Sequence, residues 1–130
     1  MDFQLVKDEL VSLPLVSELP SDEELQKFVN LAELVLSIYF SFDEEFISSE
    51  YYITALCLEV AHLIENTPYE DVLKMYNYLS SFSVAGAISG TVASKSMKMI
   101  GNLVKDYLAS FDYFIETDDG NSISYGYAKF

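Results

Sequence analysis

Few residues in this chain are equipped to do chemistry. His62 is the single histidine, and Glu59 and Glu65 flank it at three-residue spacing. A Glu-x-x-His pair on one helix is how helical bundles hold a metal ion, but a two-metal site takes two such pairs and further acids on facing helices. With one histidine that set cannot be completed, and a partly exposed structural histidine is the better reading. Cys57 is also alone, which excludes an internal disulfide and cannot by itself build a zinc site. It falls on an apolar helix face, where a thiol packs as a small hydrophobe, and no neighbouring cation would activate it. Gly86 and Gly90 lack the Gly-Lys-Ser/Thr ending of a phosphate-binding loop. Ser94-Lys95-Ser96 has no partners to complete a Ser–Lys hydrolase. Asp118-Asp119-Gly120-Asn121 lacks the alternating acids and distal Glu of a calcium loop, so a turn explains it. No catalytic residue, cofactor or metal is expected, and the chain reads as a non-enzyme.

Function is then sought on surfaces, and charge is unevenly spread over them. Residues 1–71 hold sixteen Asp/Glu against two Lys, the whole net charge of −14, whereas residues 72–130 hold five of each. No acid occurs between Asp71 and Asp106, and no arginine occurs anywhere. Such a chain repels phosphates and lacks the residue that most often reads guanine edges, so sequence-specific DNA binding is not expected. An anionic membrane surface is disfavoured for the same reason. Met1-Asp2-Phe3 does not open a signal peptide, and no run approaches the roughly 18 apolar residues of a membrane span. The expectation is a soluble intracellular chain. At 51% hydrophobic and 15% aromatic residues, it can bury a core.

The elements that must position these residues follow from caps and periodicity. Phe3 to about Val11 reads as a short helix, and Pro14 and Pro20 make the segment after it an extended linker. Ser21-Asp22-Glu23-Glu24 is a capping box, and three acids in a first turn suit the helix dipole. Leu25, Phe28, Val29, Ala32, Val35, Leu36 and Tyr39 then keep helical spacing, while Leu31, Leu34 and Ile38 widen the stripe. This predicts a helix over about 22–40 buried by two neighbours, one of them a candidate for another subunit. Residues 41–49 read as a loop, about 50–66 as a second helix, and Thr67-Pro68-Tyr69-Glu70 as the start of another running to about Ser80. From Ser81 the chain becomes rich in Ser, Gly, Ala and Thr. Phe82, Val84, Ile88 and Val92 alternate there, which predicts an extended arm. Helical spacing returns over about 96–111. Asp-Gly between alternating runs then predicts a hairpin or extended tail over 112–130.

The expected fold is therefore mainly α: one domain over 1–130, a small bundle of about four helices with a Gly/Ser-rich extended arm and a C-terminal β-hairpin or extended tail. Its parts are a leader (1–20), a helical core (21–80), the arm (81–95), a helix (96–111) and the hairpin or tail (112–130). Ten Tyr and nine Phe exceed what a small core needs, and Tyr is enriched at interfaces. Candidate contact residues are Val84, Ile88 and Val92 in the arm, with Tyr113, Tyr125, Tyr127 and Phe130 in the tail. The candidate acidic surface is Asp22, Glu23 and Glu24 with Asp43, Glu44 and Glu45.

With the helices placed, the order of features resembles the head–tail adaptor (connector) proteins of tailed bacteriophages. Leu13 to Leu25 looks like that family's leader, linker and helix start, and Leu31-Ala32-Glu33 like a recurrent Ala-Glu. Ala55 to Ile64, with Ala61-His62-Leu63 near its end, resembles the second helix. Gly90-Thr91-Val92-Ala93-Ser94-Lys95-Ser96-Met97 looks like the Gly/Ser-rich segment that follows. The likeness spans about residues 3–97. Met99-Ile100-Gly101-Asn102 departs from it, reading as helix where the family often continues into a strand. The resemblance implies a non-enzymatic ring, commonly twelve-fold, in the virion neck between portal and tail protein, made in the host cytoplasm. DNA would pass its lumen without specific binding, which an acidic wall favours. The alternative is an acidic inhibitor or DNA mimic that blocks a basic nucleic-acid-binding enzyme with acids 18–24 and 43–50.

Overall fold

The Ser21 hydroxyl accepts the Glu24 backbone N–H at 3.3 Å and starts α2 (Asp22–Tyr39), whose first turn carries Asp22, Glu23 and Glu24. This computed structural model describes residues 3–13, 15–84 and 99–114, and among them the chain is mainly helical with no strand. Before α2 lies α1 (Phe3–Ser12), and after it α3 (Glu44–Ile47), α4 (Glu50–Asn66), α5 (Tyr69–Val84) and α6 (Asn102–Ala109).

Packing is organised around α4. It touches α1, α2, α3 and α6, while α5 packs chiefly on α2. Cys57 on α4 donates its S–H to the Val6 carbonyl at 3.4 Å, and Thr54 donates to a Glu9 carboxylate oxygen at 3.1 Å. The numbering therefore runs oppositely along α1 and α4. Gly101 meets Glu59 and His62 while Phe111 reaches Tyr51, so α6 also lies antiparallel to α4. The two neighbours of α2 expected from its wide apolar stripe are α4 and α5, both of this chain. Val29, Leu31, Ala32, Val35 and Leu36 are fully buried between them and α1. Each large aliphatic side chain so buried stabilises the fold by about 1.5–3 kcal/mol.

Three boundaries differ from expectation. The loop over 41–49 contains α3, whose start is capped by Asp43 accepting the Phe46 N–H at 2.8 Å. The helix expected to stop near Ser80 continues to Val84, so residues 81–84 are helix and not arm. Phe82 extends the spacing Val72, Met75, Leu79 as well as it opens an alternation, and a helix already under way gains a hydrogen bond for each residue added. The helix expected over 96–111 is shorter: its N-cap is Gly101, in extended conformation at φ −71° and ψ 152°, and it ends at Ala109. Residues 85–98, with Ile88 and Val92, and residues 115–130, with the Asp-Gly turn, Tyr125, Tyr127 and Phe130, lie outside the described residues, as does the Val84 side chain.

Candidate functional site

Glu59 is three residues after Leu56 and four before Leu63, which puts it on the buried stripe of α4. It is 0% exposed, the one charged residue type in the core of the described residues. Its Oε1 accepts the backbone N–H of Gly101 at 3.2 Å, and its Oε2 has no hydrogen-bond partner. Burial pushes the carboxyl up to about 8, against the partial pull of the Gly101 N–H and the Lys105 charge. At neutral pH Glu59 is therefore mostly protonated, a neutral peg holding the turn that leads into α6.

His62 shapes the same corner from one turn further on. A side chain at Gly101 would place its first carbon 2.9 Å from the His62 ring, so only glycine lets the backbone come this close. Asn66 donates to the His62 carbonyl at 2.8 Å and lies 3.2 Å from the ring Nδ1. A cavity of about 340 Å³ opens beside them, lined by Leu58, Ala61, His62, Gly101 and Leu103 among others, and Glu59 does not line it. Among the described residues no three His, Cys, Asp or Glu side chains come together as metal ligands. The Glu59–Gly101 hydrogen bond and the close approach of Gly101 to His62 seat the start of α6 on α4. Cys57 is buried, and burial with the nearby Glu9 charge pushes its thiol up to about 12, away from thiolate chemistry.

The acids gather at helix starts. Asp22 and Glu23 are exposed and Glu24 half-buried at the start of α2, with Glu70 and Asp71 in the first turn of α5 near the same end, where Phe28 meets Tyr69. Asp43, Glu44, Glu45 and Glu50 are all exposed at the other end, around α3 and the start of α4. Both ends of the α2–α4 pair are therefore negative. Among the described residues one ion pair is formed, the surface contact Lys7–Asp22 at 2.8 Å.

Two further surfaces complete the picture. A groove of about 530 Å³ runs over α4 between α1 and α6, with Leu5, Ile53, Tyr51 and Tyr107 in its walls and Asp8, Glu9 and Glu50 on its rim. The outer face of α5 carries exposed Leu73, Lys74, Asn77, Tyr78 and Ser81. From Val72 to its end, α5 contains no acid.

The chain matches no protein-family model, and no curated protein or solved structure shows significant similarity to it.

The expected site residues divide accordingly. The acidic six are on the surface at helix starts, and they form two groups at opposite ends. Tyr113, expected at an interface, is half-buried within the chain: its ring lies 4.8 Å from Phe46 and 5.0 Å from Phe42. Tyr51, Tyr107 and Leu5 were not singled out from the sequence, since each belongs to a different helix and only packing brings them to one groove. Glu59 carries a readable signal in its position on the stripe of Tyr52, Leu56 and Leu63, although its three-residue spacing from His62 also fits a metal pair.

Proposed function

We propose that this chain is a structural subunit without enzymatic activity: a head–tail adaptor that forms a ring between portal and tail in a virion neck, with DNA passing through the lumen. The observation that carries this reading is the division of its surface. Clusters of exposed carboxylates at both ends of the bundle repel a duplex, so DNA could slide past without adhering. An acid-free helix face with exposed Leu73 and Tyr78 suits lasting protein contacts instead. The resemblance in the order of sequence features to phage adaptors suggests the specific assignment. Mass photometry and negative-stain microscopy of the purified chain, alone and mixed with portal rings, test it. Ring-shaped particles or decorated portals are expected, and a chain that stays monomeric and never binds portal rings would overturn the reading. Salt separates it from the acidic-inhibitor alternative. Contacts through apolar and tyrosine surfaces should persist as salt rises, whereas binding to a basic nucleic-acid enzyme would weaken steeply.

A further inference from the structure

Resting on that ring reading, we propose how neighbouring subunits meet: the outer face of α5 on one copy seats in the α1–α4–α6 groove of the next. The first support is topological. α5 packs chiefly on α2, whereas the groove is built from α1, α4 and α6, so the face and the groove are two separate surfaces. A contact between two different surfaces joins copies head to tail, and a head-to-tail contact closes a ring when its rotation permits.

The second support is electrostatic. Copies of a chain with net charge −14 repel one another, and only a contact that avoids facing acids can hold them. The groove brings three carboxylates to its rim, from Asp8, Glu9 and Glu50. Among the described helices, α5 offers the longest acid-free run, from Val72 to Val84, and its exposed Lys74 is a cation to set against that rim. Glu70 and Asp71, in the first turn of α5, mark where the contact stops.

The third support is the character of both surfaces. Leu73 and Tyr78 are 45% and 42% exposed, and Leu5 and Tyr51 across the contact are 48% and 46% exposed. Asn77 and Ser81 fill the rest of the α5 face. Exposed leucine and tyrosine on both surfaces give a contact large apolar and aromatic area to bury at its centre.

Cross-linking the full chain tests the contact. Asn77→Cys places a thiol on the α5 face and Ser12→Cys one at the groove, both at exposed positions, while native Cys57 is buried. A flexible bis-maleimide should join the two variants when mixed and give little dimer from either alone. A chain carrying both should give a ladder of oligomers. Lys74→Glu should abolish ring-sized particles and leave the helical circular dichroism spectrum unchanged. Strong cross-linking of Asn77→Cys to itself, or rings that form with no cross-link between the two variants, would overturn this contact and leave the ring reading standing. Absence of any oligomer, alone or on portal rings, would sink both.

Discussion

A buried carboxyl with one satisfied oxygen makes Glu59 the residue most sensitive to its surroundings. Its ordinary value of 4.5 is raised to about 8 by burial, so the folded chain holds a proton that the unfolded chain releases. Below about pH 4.5 both states are protonated and the group carries no penalty. As pH rises through the window from 4.5 to about 8 the unfolded state is increasingly favoured, and above it the loss is complete. Glu59→Gln keeps an acceptor for the Gly101 N–H and removes the ionisation. The variant should match the parent near pH 4.5 and exceed it at about pH 8 by about 1–3 kcal/mol, read from urea unfolding of the full chain. Equal pH slopes in the two proteins would show that Glu59 stays charged in the fold. Its spacing from Leu56 and Leu63 aligns Glu59 with the buried stripe of α4, but whether that position faces water depends on α6 arriving from more than thirty residues further along the chain.

Elements here are joined by aromatic rings. Phe46 on α3 lies 5.3 Å from Phe42, 5.3 Å from Phe111 and 4.8 Å from Tyr113, tying the end of α6 to the corner between α2 and α4. Phe46→Ala should cost about 3 kcal/mol in urea unfolding, from lost burial and the cavity left behind. Hydrogen exchange over 107–114 should rise at the same time. Exchange unchanged there would mean that Phe111 and Tyr113 are held by other contacts. Helix α2 is legible in the sequence from its capping box and long apolar period, and α4 from its apolar period alone, because both signals act within one segment. Four-residue α3 has no period to read, and its role as a hub comes from rings spread between positions 42 and 113. The end of α5 differs from the expected Ser80 because the spacing around Phe82 fits two periods, and the growing helix decides between them.

Taken whole, the molecule is held together against its own charge. With net charge −14 and a single described ion pair, repulsion among carboxylates opposes folding and should be relieved by salt. Raising NaCl from about 0.01 M to about 0.15 M shortens the screening length from about 30 Å to about 8 Å, so Tm should rise by a few degrees. A Tm that falls instead would mean that favourable pairing of acids with helix N-termini and lysines outweighs the repulsion. The same balance governs assembly in the proposed ring, where the acid-free α5 face is the surface that meets another copy with least opposition.

From its sequence alone the chain settled its helical class, the starts of α2 and α4, and the crowding of acids before position 72, because caps, periodicity and charge are local properties. Tertiary structure decided the rest. It turned Glu59 inward, seated Gly101 against His62, drew Tyr113 into an internal cluster, and assembled a groove from α1, α4 and α6. Each of these depends on which face of one helix is covered by another distant in sequence, and that choice is made by the packing of the whole core.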